Sequence, residues 1–177
     1  REDPADEMDL RGRVVIPDSY YIGADVFYDF HALNGLDQFL NQKYKTPEQI
    51  QADYPTIRQT YAGARFPDEV VERLREILSE VGNAPLIVRS SSLLEDNFGY
   101  SFAGKYESFF CPNQGSPEEN LRALTHAISL IYASVLSPDA LVYRQQMGLV
   151  DYDERMAILI QKVQGQRYHD WFLPTLA

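Results

Sequence analysis

Between Pro67 and Val81 the apolar residues Val70, Val71, Leu74, Ile77, Leu78 and Val81 recur at helical spacing, while Glu69, Glu72, Arg73, Arg75, Glu76 and Glu80 fall largely outside that stripe. The pattern predicts an amphipathic helix stopped by Gly82-Asn83. A second stripe, Leu121, Leu124, Ile128, Ile131, Tyr132 and Val135, follows Ser116-Pro117-Glu118-Glu119, which combines an N-cap, a first-turn proline and a capping-box acid. A long helix to about Leu136 is expected, and Ser137-Pro138-Asp139 repeats the start signal for another that ends at Gly148. These two form a hairpin with almost no linker. Earlier, Val26, Phe27, Phe30 and Leu33 predict a helix from Ala24 with Gly35 as its C-cap. A short helix follows over Leu36 to Lys43, and Thr46-Pro47 opens one running toward Tyr54.

Other apolar runs have the strand signature. Val14-Val15-Ile16 and Ser19 to Ile22 are short extended segments separated by Pro17, and Pro85-Leu86-Ile87-Val88 is a buried strand that turns to polar loop at Arg89. Tyr106 to Phe110 is a further strand, and Met156 to Ile160, bounded by charge and feeding Gln161-Lys162-Val163, is a central one. These apolar segments share a core as a mixed sheet packed with helices, an α+β architecture. The 91–105 stretch between two strands is long for a connection in a compact domain and therefore a candidate functional loop. Residues 1–13 are charged and are expected to be a flexible acidic lead-in to one domain over 14–177.

Charge and composition narrow the partners. The 177 residues hold 26 acidic and 16 basic side chains, a net charge of −10, the wrong sign for unspecific attraction to nucleic acid or an anionic membrane. No apolar run approaches ~18 residues, and the acidic start does not resemble a secretory signal. The single cysteine, Cys111, offers no disulfide framework and fits a cytoplasmic protein. The first residue is Arg1 and the last seven are largely apolar, so a piece of a longer chain is expected.

Candidate chemistry concentrates in one block. The chain lacks a Walker-type phosphate loop, a dinucleotide fingerprint and a zincin motif, and no Gly-x-Ser-x-Gly turn exposes any of Ser90 to Ser92 as a nucleophile. His31, His126 and His169 are scattered. Arg89, at the end of a buried strand and followed by hydroxyls, has a planar fork suited to a polyphosphate, with Ser90 among the neutral donors beside it. The residues leave a second reading open, in which Arg89 pairs with Glu95, Asp96 or Glu107 and braces a serine turn.

Val88-Arg89-Ser90-Ser91, then Glu95-Asp96, then Ser101-Phe102-Ala103-Gly104-Lys105-Tyr106-Glu107-Ser108-Phe109 resembles, in order, the nucleotide-binding domain shared by phosphoenolpyruvate synthase and pyruvate, phosphate dikinase. Ile16-Pro17 through Asn34-Gly35-Leu36, Tyr132-Ala133-Ser134 and Tyr143-Arg144 extend the resemblance over roughly residues 14–165. It implies the first part of an ATP-grasp domain within a phosphotransferase. That enzyme would use ATP and Mg2+, carry phosphoryl on a histidine of another domain, and make phosphoenolpyruvate, AMP and phosphate from ATP, pyruvate and water. By position, Arg89 and Ser90 would meet phosphates, Gly104 would permit close approach of the loop, and Gln161 with the backbone at Lys162 and Val163 would border the adenine. The metal ligands, the second ATP-grasp subdomain and the phosphohistidine domain are expected outside this chain, and homo-oligomerisation is left open. The hinge has Val163-Gln164 where Met-Val is usual, and Leu93-Leu94 replaces the small residues common before Glu-Asp. Two alternatives stand beside this reading: the same superfamily with a rifampicin or glucan acceptor, and a noncatalytic interaction module.

Overall fold

Caps and glycines set the helix boundaries in the computed structural model, which describes residues 16–95, 104–168 and 171–174. The lead-in expected over 1–13, the extended segment at Val14-Val15 and the middle of the 91–105 loop lie outside the described residues. The chain runs β1 (Ser19–Ile22), α1 (Ala24–Asn34), a 3-10 helix (Leu36–Tyr44), α2 (Pro47–Ala62), α3 (Asp68–Val81), β2 (Leu86–Ser92), β3 (Ser108–Cys111), α4 (Pro117–Ser134), α5 (Pro138–Gln146), β4 (Met156–Lys162), β5 (Gly165–Tyr168) and β6 (Trp171–Pro174). Thr46 and Gln49, and likewise Ser116 and Glu119, exchange side-chain and backbone hydrogen bonds in reciprocal capping boxes. The Ser137 hydroxyl accepts the Ala140 N–H at 3.2 Å. Each such cap is worth about 1 kcal/mol. Gly35 ends α1 at φ 62°, a conformation that favours glycine.

Three local expectations change. The segment after Gly35 is a 3-10 helix, tighter than an α-helix. Helix α2 does not stop near Tyr54 but continues through Pro55 to Ala62. A proline inside a helix costs roughly 3 kcal/mol, whereas Ile50, Ile57 and Tyr61 are buried on both sides of it. Burying three such side chains returns on the order of 5–9 kcal/mol, so tertiary packing outweighs the break signal. Strand β2 likewise does not become loop at Arg89. It stays paired with β4 from Leu86↔Lys162 to Ser92↔Met156, and only its pairing with β3 ends at Arg89↔Ser108.

The main sheet has the order β1-β4-β2-β3, with β4 central as its apolar run predicts. All three pairings are antiparallel, so the sheet is not mixed in strand direction. Periodicity sets which face a residue takes but carries no information on direction. One face holds Tyr20, Ile22, Leu86, Val88, Phe109, Met156, Ile158 and Ile160 against the helices. Helix α4, the centre of that layer, packs on α2, α3, β2 and β3, while α5 packs on α2 and the 3-10 helix. The opposite face carries Tyr21, 75% exposed, and Phe110, 55% exposed, and no described element covers it. Strands β5 and β6 form a separate antiparallel hairpin that the sequence pattern did not predict. Among the described residues no helix is long and apolar enough to cross a membrane.

Candidate functional site

The uncovered sheet face holds a cleft of about 560 Å³ where β2, β3 and β4 lie side by side. Alternation along β2 sends Val88 into the core and Arg89 outward, and register places Arg89 between Leu159 of β4 and Ser108 of β3. Ser90, Ser91, Glu95, Gly104 and Tyr106 complete the lining. The arginine is exposed and makes no ion pair among the described residues. Two of the carboxylates weighed as its braces are engaged elsewhere. Glu107 lies 3.3 Å from the Arg58 guanidinium, and Glu95 accepts hydrogen bonds from the Ser90 hydroxyl at 3.1 Å and the Ser92 N–H at 3.2 Å. The third, Asp96, lies outside the described residues.

The turn that closes this wall is built by Ser92. Its hydroxyl accepts the Leu94 N–H at 3.1 Å and its carbonyl the Glu95 N–H at 3.2 Å. Leu94 is fully buried and Leu93 exposed, so this pair of leucines anchors the turn from one side only. Gly104 has φ 75° and open space where a Cβ would stand, so backbone conformation, not crowding, calls for glycine there.

The hinge residues sit differently. Gln161 is on the same face as Arg89, in register with Ile87, and its amide donates to the Ser19 hydroxyl at 3.2 Å. The Lys162 side chain falls on the opposite face, 4.0 Å from the Asp18 carboxylate, and the Lys162 N–H donates to the Asp18 carbonyl. The Val163 N–H donates to the Pro85 carbonyl at 2.9 Å. Arg89, Ser90 and Gly104 are thus brought together around one cleft, while Gln161, Lys162 and Val163 lie outside its lining. Ser108 and Leu159 join the cleft only through cross-strand register, which the linear pattern does not reveal.

The arrangement offers one guanidinium, hydroxyls and a glycine turn to an anionic ligand, with the Glu95 carboxylate at its edge. His31 is not part of it. Its Nε2 lies 3.0 Å from the Tyr61 hydroxyl within the core, and burial holds its pKa down to about 4 against a smaller opposing pull from Asp37. Among the described residues no group of three histidine, cysteine, aspartate or glutamate side chains could hold a metal ion.

Residues 6–169 match the family described as "Pyruvate phosphate dikinase, AMP/ATP-binding domain". Over 161 residues the chain is 25% identical to the phosphoenolpyruvate synthase of Aquifex aeolicus, covering 85% of this chain and 18% of that protein. Over 163 residues it is 28% identical to the Escherichia coli phosphoenolpyruvate synthase, covering 85% and 19%. A rifampicin phosphotransferase of Bacillus subtilis is 28% identical over 129 residues, covering 72% of this chain and 14% of that protein. The chain spans less than a fifth of the length of these relatives.

Proposed function

Because the chain belongs to the pyruvate phosphate dikinase AMP/ATP-binding domain family, we propose that it is the ATP-binding portion of a dikinase-type phosphotransferase resembling phosphoenolpyruvate synthase. The observation that carries the assignment of the site is Arg89, an exposed guanidinium in a polar cleft without a described carboxylate to pair with. In this reading Arg89 grips phosphate oxygens with its bidentate fork. Ser90, whose hydroxyl donates to Glu95, would have to turn from that carboxylate to reach a phosphate, and the positive-φ turn at Gly104 brings backbone close to the nucleotide. Phosphoryl transfer depends on positioned charge more than on covalent help, which is the chemistry this cleft can supply.

The adenine lies further along β4, beside Gln161 and the backbone at Lys162 and Val163. Since the N–H groups of Lys162 and Val163 are engaged by Asp18 and Pro85, contact there falls to other groups of the hinge. Residues 14–177 constitute the first part of an ATP-grasp domain, preceded by the acidic lead-in 1–13. The exposed Tyr21 and Phe110 belong to the face that the second subdomain covers. Mg2+ would neutralise phosphate charge in the whole enzyme. In this reading its ligands and the phosphohistidine belong to the remainder of the protein. The protein is assigned to the cytoplasm, consistent with its single cysteine.

The relative from Bacillus subtilis supports a second reading in which the same ATP half serves rifampicin as acceptor. Incubating the full-length protein with ATP, Mg2+ and either pyruvate or rifampicin separates the two. Formation of AMP, phosphate and phosphoenolpyruvate supports the first reading, and phosphorylated rifampicin the second. No conversion of ATP to AMP with either acceptor contradicts both.

A further inference from the structure

Glu154 lies two residues before β4 and is only 5% exposed. Neither carboxyl oxygen has a hydrogen-bond partner within normal geometry. The groups that face it come from three elements. Arg144 of α5 is also buried, but its guanidinium donates to the carbonyls of Leu149 and Tyr152. Tyr106 approaches from the segment before β3, and Ser92 and Glu95 from the end of β2 and its turn. Burial is the foremost cause that pushes the Glu154 pKa up, with Glu95 adding to it, while Ser92, Arg144 and Tyr106 act the other way. A neutral acid suits such a site, because a carboxylate without donors loses its hydration.

The positions of Ser92 and Tyr106 give this buried acid a functional address. Ser92 is the last residue of β2 and builds the turn that carries Glu95. Tyr106 follows Gly104 by two residues and lines the cleft. One carboxyl therefore lies against both Ser92, where β2 ends, and Tyr106, which precedes β3. We infer that Glu154 is a positioning residue for the cleft: seated between Ser92 and Tyr106, it fixes the turn at 92–95 against Gly104–Tyr106 so that Arg89 and Gly104 face one polyphosphate. This rests on the reading of the cleft as a phosphate site.

The test compares Glu154→Gln, which keeps the shape of the neutral acid, with Glu154→Asp, which withdraws the carboxyl by one methylene, in the full-length protein. Amide hydrogen exchange at 92–95 and 104–107 is measured without nucleotide, and the ATP dissociation constant is measured for each variant beside wild type at several pH values. Exchange in Glu154→Asp should rise about fivefold or more, with a comparable loss of ATP affinity, while the glutamine variant restores both to near wild type. Wild-type affinity relative to Glu154→Gln at the same pH should weaken once Glu154 ionises beside Glu95. Wild-type exchange in Glu154→Asp, or a glutamine variant that fails to restore exchange and affinity, overturns the inference. If the wild-type protein does not bind ATP, the phosphate-site reading falls, and exchange alone decides whether Glu154 positions residues 92–95 and 104–107.

Discussion

Lowering the pH should destabilise this fold through His31. The imidazole packs against Phe27, with ring centroids 4.2 Å apart, and against the Tyr61 hydroxyl, and it is 4% exposed. Its folded-state pKa is about 4, burial outweighing the attraction of Asp37 at 3.8 Å. In the unfolded chain a histidine titrates near 6.5, so between the two values the unfolded state binds the extra proton and the folded state does not. Stability is therefore fully present above about pH 6.5, falls by up to about 1.4 kcal/mol per pH unit, and loses about 3 kcal/mol by pH 4. For a chain of this size that is a fall of roughly 6–12 °C in melting temperature. Carboxylates titrate over the same range, so the measurement is the difference between wild type and His31→Gln, a variant that keeps an acceptor for Tyr61 but cannot protonate. Denaturant unfolding at several pH values should show the glutamine variant gaining on wild type by about 3 kcal/mol between pH 7 and 4. A difference that stays constant over that range would refute the argument.

Three further outcomes follow from local structure. Ser116→Ala removes the hydroxyl half of the α4 capping box and should cost about 1 kcal/mol by denaturant unfolding, a loss absent if that helix end frays freely. Gly104→Ala, forced to φ 75°, should cost about 1–2 kcal/mol in the cleft wall and weaken ATP binding in the full-length protein, and unchanged affinity would separate this turn from the nucleotide. The 177-residue chain alone should bind ATP weakly and show no phosphotransferase activity in calorimetric and turnover assays, whereas tight Mg2+-dependent binding would mean the site is misplaced.

The parts of the fold written in short-range signals were legible. Thr46, Ser116 and Ser137 start helices where their proline-led motifs predict, Gly35 ends one, and the run from Met156 to Ile160 is the central strand. What escaped depended on distant partners. Helix α2 passes Pro55 because Ile57 and Tyr61 find a core beyond it, and the serines after Arg89 remain strand because β4 pairs with them. Strand direction was invisible for the same reason. Around the cleft, Arg89, Ser90 and Gly104 could be named from the ordered motif, whereas Leu159, Ser108 and the buried Glu154 come together only through register and packing. Alternation along β4 by itself sets Lys162 on the opposite face from Gln161.

The central claim is that Arg89 serves a nucleotide and does not brace its loop, and Arg89→Lys in the full-length protein tests it most directly. Lysine keeps the charge and loses the bidentate fork, a contact worth on the order of 1.5–3 kcal/mol. ATP affinity or turnover should fall about tenfold or more while the melting temperature stays near wild type, since the guanidinium has no described carboxylate partner to lose. A lowered melting temperature with ATP affinity unchanged in the folded fraction would contradict the account.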